Sequence, residues 1–499
     1  MKNRLIQILA IALIVTGCKT ETKNEGQSSD ITYGKDGIVQ NGTVDTRMGK
    51  LTFENGYPSR KSVENLFDEM DFQRACQAYI WALPIVSLAE WQGVHEGQFN
   101  AQDRDIVVYT TTEEKLGILT ANATTPYIVA FNDLGRSGPL IIEVPEGPTG
   151  GLVNDFWQRP VTDLGLAGPD KGKGGKYLIL GPGQTPPEGV KADYVFESGT
   201  MNILFGTRIL TPDPAEGKRL LNSSLIYPAS TPGVEQKYSN AEGEWFQYQP
   251  RGLNYWERLH EIIQREPVAE RDRFMMASLR FLGIEKGKPF EPNERQKEIL
   301  KEAVLVGEAM AQSNSFESRF QGVKYREDAD WEYVIFLEPS QRGSDYEQLD
   351  ERAAYAYEAV TTSAGMTTKT PGVGSAYLGG YRDSDGNWLS GSSNYRMKVP
   401  ANAPMKQFWS VTIYNQATRC LIENGTGSAE SSSRQDLNIN EDGSVDLYFG
   451  PGKAPVGKEN NFIKTNPNEG FFVYLRLYAP TEPYFNKSWQ LPNIEKITD

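Results

Sequence analysis

Cysteine and histidine are scarce in this chain. Its 499 residues hold 3 cysteines and 2 histidines, and with no two cysteines near each other they do not supply the closely spaced ligands of a zinc site built on thiolates. The absence of a His-Glu-x-x-His pair excludes the two-histidine helix of the zinc proteases. Nor is there a Gly-x-Ser-x-Gly elbow: Gly135-Arg136-Ser137-Gly138-Pro139 misses it at the last residue, although triads assemble in space and leave no obligatory spacing. Basic residues are outnumbered, 51 against 65 acids, for a formal charge of −14. That balance argues against nucleic acid as a partner and against electrostatic adhesion to anionic lipid, since both need clustered Lys and Arg. No apolar run approaches the roughly 20 residues that span a bilayer.

What is present begins at the first residue. Lys2 and Arg4 precede the apolar run Leu5 to Val15, and Thr16-Gly17-Cys18 closes it. A basic start, a short apolar core and small residues before a Cys describe a bacterial lipoprotein leader. Residues 1–17 are expected to be removed and Cys18 to become the acylated N-terminus, leaving an exported envelope protein that meets the membrane through its lipid alone. Lys19 after that Cys favours the outer membrane. With Cys18 lipidated, Cys76 and Cys420 are expected as two separate buried thiols.

Residues 18–55, rich in Glu, Lys, Gly, Ser, Thr and Asn, read as a flexible tether. From Ser62, apolar residues at three- and four-residue steps predict a helix with one buried face, interrupted at Pro84. Short apolar runs then follow, 106–109, 127–131, 140–144, 177–180 and 194–196, set between Gly and Pro clusters, and they predict strands. Helical spacing returns at 253–263, 274–282, 295–310 and 349–360, and strands at 408–414, 445–449 and 471–478. The expectation is a β-rich α+β protein with two antiparallel sandwich or jelly-roll-like domains, residues 56–248 and 366–499, joined by a mostly helical region, 249–365.

Asn122-Ala123-Thr124-Thr125-Pro126-Tyr127, with Phe131-Asn132-Asp133-Leu134 and Gly138-Pro139-Leu140-Ile141-Ile142-Glu143-Val144-Pro145, resembles the family DUF1254. Phe408-Trp409-Ser410-Val411-Thr412-Ile413-Tyr414, Asp442-Gly443-Ser444-Val445-Asp446-Leu447-Tyr448-Phe449-Gly450-Pro451 and Leu475-Arg476-Leu477-Tyr478-Ala479-Pro480, ending in Trp489, resemble its partner family DUF1214. The resemblance spans roughly residues 60 to 495. It implies a two-domain, β-rich fold and no settled reaction. The first motif commonly reads Asn-x-Asp-Thr before its Tyr, and Thr124 stands at that Asp here, so a site built on the Asp would be altered in this chain.

Several patterns resemble sites and fail on inspection. Gly452 to Lys458 has the spacing of a phosphate-binding loop, but Glu459 stands where a magnesium-binding Ser or Thr is required. Asn438-x-Asn440-x-Asp442-Gly443 opens like a calcium loop, yet its twelfth position is Phe449 instead of an acid. Asp383-Ser384-Asp385-Gly386-Asn387 reads as a turn of the same kind. No metal or cofactor is expected. Catalytic candidates reduce to His95, past a helix end, and Asp155, with Asp163 and Glu143 as further acids near the first sheet and His260 inside an amphipathic helix.

The best constellation for a ligand is Asn122, Thr125, Tyr127, Trp157 and Arg159 in the first domain, with Tyr414, Arg419, Arg476 and Tyr478 in the second. Aromatic faces beside amide and guanidinium groups suit a small organic or carbohydrate ligand. Arg476 lies in an apolar strand, so its guanidinium requires a carbonyl or acidic partner, Asp446 or a bound anion. Three functions follow from this reading: ligand binding, a hydrolase using His95 or a carboxylate pair, and a structural module of a surface assembly. Homo-oligomerisation stays open. An aromatic cleft without an acid and a Ser near His95 would favour binding.

Overall fold

The structure is a computed structural model that describes residues 31–497. The leader, Cys18 and the first part of the expected tether lie outside the described residues. The chain divides into two compact units, Met1–Met70 and Asp71–Asp499.

In the first unit, residues expected as a flexible tether form strands instead. Thr32–Tyr33, Val39–Thr46, Gly49–Glu54 and Tyr57–Pro58 pair in sequence order as an antiparallel meander. Composition hid a local signal. Asn55 and Gly56 both adopt positive φ, 52° and 85°, the two-residue turn that matches strand twist and that Asn-Gly favours. The Thr43 and Thr52 hydroxyls pair across the ladder at 3.0 Å, a cross-strand contact that helps hold the register.

The helix Arg60–Gly97 continues into the second unit and carries Pro84 in its interior. The predicted interruption therefore does not occur, nor does the single buried face: Ala75, Ala78, Tyr79, Trp81, Ala82, Leu83, Ile85, Val86, Leu88 and Ala89 are all essentially inaccessible. From Ala78 to Ala89 the helix is buried on every side, which makes that stretch a core element. An interior proline costs about 3 kcal/mol, whereas each large apolar side chain buried contributes about 1.5–3 kcal/mol, so the packing around Pro84 outweighs the lost backbone bond.

Two pairs of sheets flank this helix and its partners. The first pair joins a six-stranded sheet, in the order Tyr238–Asn240, Ile106–Tyr109, Tyr127–Asp133, Asn202–Ile209, Thr149–Asp155, Pro160–Gly165, to a four-stranded sheet, Tyr194–Glu197, Gly175–Leu180, Leu140–Val144, Leu225–Pro228. Alternation assigns the two faces. Ile106, Val108, Ile128, Ala130, Ile203 and Phe205 meet Leu140, Ile142 and Ile179 in one core, while Val107, Tyr109, Val129, Phe131 and Leu204 share a core with the helix.

The second pair joins a five-stranded sheet, Trp331–Tyr333, Ser375–Gly380, Phe471–Tyr478, Trp409–Asn415, Glu430–Ser432, to a four-stranded sheet, Phe462–Lys464, Val445–Gly450, Asn394–Val399, Glu495–Ile497. Phe471 packs on Tyr395 and Phe449 at 5.7 and 6.2 Å between ring centres. Most strand pairings among the described residues are antiparallel, as expected for a β-rich α+β fold; three are parallel.

The predicted helices are present as Leu253–Arg265, Arg273–Arg280, Glu294–Phe316 and Leu349–Glu358. They share the core of the long helix, so residues 71–497 form one body across the three expected segments. Cys76 and Cys420 are both buried thiols. No helix among the described residues is long and apolar enough to cross a membrane.

Candidate ligand-binding site

The outer face of the six-stranded sheet and the five-stranded sheet enclose a cavity of about 340 Å³. Within the six-stranded sheet, register puts Arg208 between Tyr127 and Gly150, and Gly206 between Val129 and Leu152. Period-two alternation sends Leu204, Gly206 and Arg208 to the same face, and all three line the cavity. From the opposite sheet come Ser375, Tyr377, Tyr474, Arg476 and Tyr478, with Tyr377 directly beside Arg476 in the ladder. Ile118, Leu119, Val334, Ile335 and Met366 add apolar wall, and Asp163, Thr207 and Ser363 add polar atoms.

One end is cationic. Arg476, 3% exposed, donates from Nη1 to the Thr412 hydroxyl at 2.9 Å and from Nη2 to the Thr120 carbonyl at 2.6 Å. Thr412 in turn donates to Glu430 at 2.6 Å, and Glu430 also accepts from the Ala123 amide at 3.2 Å and from the Thr124 hydroxyl. The partner of Arg476 is thus a carbonyl and a hydroxyl. Asp446 lies on the outer four-stranded sheet, where Asn440 donates to it at 3.0 Å.

Arg208 donates to the Tyr478 hydroxyl at 3.4 Å and sits 5.4 Å from that ring, whose other contact is Phe408, stacked at 3.9 Å. Among the described residues, neither Arg208 nor Arg476 has a carboxylate within ion-pair distance. Lys115 lies behind Tyr127, donating to the Ala123 carbonyl at 3.2 Å. Burial pushes its ammonium down to about 8, against the opposing pull of Glu430 and Glu114.

The residues expected to bind ligand divide three ways. Tyr127, Arg476 and Tyr478 line the cavity. Asn122, Thr125 and Tyr414 stand behind them. Asn122 donates to the Tyr127 hydroxyl at 2.9 Å and accepts from the Thr125 amide at 2.9 Å, fixing the phenol; Tyr414 donates to the Ala121 carbonyl at 2.6 Å. Trp157, Arg159 and Arg419 are elsewhere. Trp157 packs on Trp81 at 4.8 Å, Arg159 pairs with Asp155 at 2.8 Å, and Arg419 donates to Gln249 and to the Tyr357 carbonyl at 2.9 and 3.1 Å.

Apart from Asp163, the catalytic candidates lie away from the cavity. His95 is 2% exposed in a cage of Trp91, Phe99, Tyr109 and Phe131. Its Nε2 meets the Tyr109 hydroxyl at 2.8 Å, its Nδ1 has no partner, and burial lowers its pKa to about 3. Asp155 accepts from the Trp157 and Arg159 amides at 2.9 Å each, organising a turn. His260 meets the Lys288 carbonyl at 2.8 Å. Glu143 is held by Lys176 and Tyr227. Of the four acids and histidines beyond His95, only Asp163 reaches the cavity: Oδ2 accepts from the Gly365 amide at 3.0 Å, while Oδ1 is buried with no hydrogen-bond partner.

Asp383 and Asp442 turn their carboxylates onto amides of their own loops, from Asn387 at 2.9 Å and from Ser444 at 2.9 Å. The Gly452–Lys458 stretch is a loop with Val456 fully exposed. Arg208, Tyr377 and the glycine floor were not predicted; the one signal for Arg208 was its place in the β-branched and aromatic stretch Ile203-Leu204-Phe205-Gly206-Thr207-Arg208-Ile209.

Comparison with known proteins places this geometry in a family context. The chain's fold is similar to that of the VPA0106 protein from Vibrio parahaemolyticus, a crystal structure at 16% identity with a TM-score of 0.55, covering 86% of this chain and 100% of that one. An uncharacterized protein from Burkholderia cenocepacia aligns at 11% identity and a TM-score of 0.39, over 87% and 96% of the two chains. No curated protein matches. Residues 106–223 match the model described as protein of unknown function DUF1254, and residues 374–482 match that described as protein of unknown function DUF1214. The cavity is lined from both matched segments, and the chain carries the DUF1254 and DUF1214 domains in tandem, DUF1254 first.

Proposed function

We propose that this is a lipid-anchored envelope protein that binds a small organic molecule in the cavity between its two β-rich halves. The observation that supports this reading is the cavity itself: about 340 Å³, walled by aliphatic and aromatic side chains, with a few convergent polar groups at one end. Binding sites for small molecules have that size and that mixture. Walls this apolar favour a ligand with a hydrocarbon body over a free sugar, which would leave hydroxyls unpartnered. The hydrolase reading draws no support from His95, whose ring hydrogen-bonds to Tyr109 and to neither an acid nor a serine.

The anchor rests on the leader pattern from Lys2 to Cys18. Two measurements test the proposal. In a thermal-shift panel of sugars, lipids and apolar acids, alcohols and amides, a ligand of the folded state raises Tm, and that shift should vanish in Gly206→Leu. In cell fractionation with intact mass, Cys18→Ala should lose both the acyl mass and the membrane association. A Cys18→Ala protein that stays with membranes at unchanged mass contradicts the anchor, and a panel without any shift contradicts the binding reading.

A further inference from the structure

We infer that the ligand is an organic anion, a carboxylate with an apolar body whose charged head lies against Arg208 and whose tail runs over Gly206 toward Leu204. This rests on the cavity being a binding site and adds the chemistry of what it binds.

The floor of the cavity is a graded surface. Strand register sets three successive rows on one face: Tyr127, Arg208 and Gly150; then Val129, Gly206 and Leu152; then Phe131, Leu204 and Asn154. With a rise of about 3.3 Å per residue, Arg208 and Leu204 are roughly 13 Å apart along the strand. The first row is cationic and phenolic; the second is apolar as far as Leu152, and in the third Phe131 and Leu204 are apolar while the Asn154 amide is taken up by the Thr362 backbone. Gly206 makes the middle row a trough: a Cβ built there meets nothing nearer than Leu204 Cδ2 at 4.0 Å, and its φ is not in the left-handed region. Space without backbone necessity is what a ligand would occupy.

The charge count at the first row favours an anion. Arg476 has a built set of partners, with Glu430 reached through Thr412. Arg208 has none of this. Its contacts are a long hydrogen bond to a neutral phenol and the face of that ring, and around the same phenols Arg476 and Lys115 stand against the one carboxylate of Glu430. A half-buried guanidinium without an acid is poorly compensated, and a carboxylate is the group whose geometry its fork matches. Asp163 sits two strands from Gly206, at the far end of the middle row, and would repel a carboxylate placed there, which leaves the Arg208 end for the head.

The test is calorimetric titration of the purified full-length protein with octanoate and with octanamide, a neutral molecule of nearly the same shape. Octanoate should bind at least about tenfold more tightly, the ratio a charge-assisted pair supplies. Arg208→Gln should bring that ratio close to one while octanamide binding persists, and Gly206→Leu should abolish both. Because the space over Gly206 is open, that variant should fold, which a thermal melt checks. Equal affinity of the two probes in the parent overturns the anion inference and leaves the cavity reading standing. Octanoate binding that survives Gly206→Leu overturns both, as does failure of every probe to bind. If neither octanoate nor octanamide binds but a neutral compound from the panel does so in a Gly206→Leu-sensitive way, only the anion inference falls.

Discussion

The Thr124 hydroxyl donates to the Glu430 carboxylate across 306 positions of sequence. This bond opens a relay that runs through Thr412 to Arg476 and back to the Thr120 carbonyl, tying the motif around Asn122 to the five-stranded sheet.

An acid at position 124 would face Glu430 at close range. Thr124→Asp is expected to destabilise by about 1–3 kcal/mol, because one carboxylate must protonate or lose its donors. The double variant Thr124→Asp/Glu430→Gln should regain more than half of that loss in urea unfolding. Losses that simply add would mean the two side chains do not interact.

Arg476→Lys should not be a conservative change. One ammonium cannot reach both the Thr120 carbonyl and the Thr412 hydroxyl, so either the carbonyl keeps only the long 3.3 Å contact from the Tyr414 hydroxyl or Thr412 loses its donor, a loss of about 1–3 kcal/mol. The urea midpoint should fall with an unchanged m-value.

His95→Phe should leave ligand binding unchanged and lower neutral-pH stability by about 1–2 kcal/mol, since Tyr109 loses its acceptor. Burial lowers the folded pKa of His95 to about 3, below the unfolded value. The unfolded chain therefore binds more protons in that window, and the stabilisation present at neutral pH is lost as pH falls from about 6.5 toward 3. In the Phe variant this part of the acid sensitivity should disappear; an unchanged acid limb would contradict it.

Glu358 has the opposite sign. It is fully buried, accepts from Ser315, Tyr381 and Tyr474, and burial pushes its carboxyl up to about 7 despite those donors. Between about pH 4.5 and 7 the folded state binds more protons, so stability falls as pH rises through that window, on the order of 3 kcal/mol in all. The parent curve should show this decline and the Glu358→Gln curve a clearly shallower one, the remainder coming from Glu332, whose carboxyl burial also pushes up to about 7, as read by unfolding free energies at several pH values.

Gly307 sits inside the helix Glu294–Phe316, where a Cβ would come within 2.7 Å of the Tyr79 ring. Alanine gains about 1 kcal/mol of helix propensity, but Tyr79 is pinned on Tyr255 at 4.3 Å, and overpacking costs about 1–3 kcal/mol. Gly307→Ala is expected to lower Tm. A rise would show that Tyr79 yields easily.

Element type was readable wherever side chains carried the period. Ile106–Tyr109, Leu140–Val144 and Phe471–Tyr478 have the predicted bounds because each is an apolar or aromatic run, unbroken in the first and broken only by Glu143 and Arg476 in the others. Thr149–Asp155, Asn202–Ile209 and Ser375–Gly380 were not predicted, and they are the strands interrupted by Gly150, Gly151, Gly206, Gly379 and Gly380. Two of those strands carry the cavity floor, and the third faces it. The residues that erase the strand pattern are thus among those that leave room for a ligand, so the site was hardest to read where it is most open. Tyr127, Arg476 and Tyr478 were found through motif and anomaly; Trp157, Arg159 and Arg419 misled because packing of Trp and Arg in a core leaves the same composition as a binding surface.

The burial of Cys76 on the long helix and Cys420 beside the five-stranded sheet gives the molecule two internal clocks. A thiol that water cannot reach is modified only when its surroundings open, so the rate at which a maleimide labels each one reports local opening at two separate places. If both label at one common rate, the halves open together; two distinct rates would reveal which half yields first.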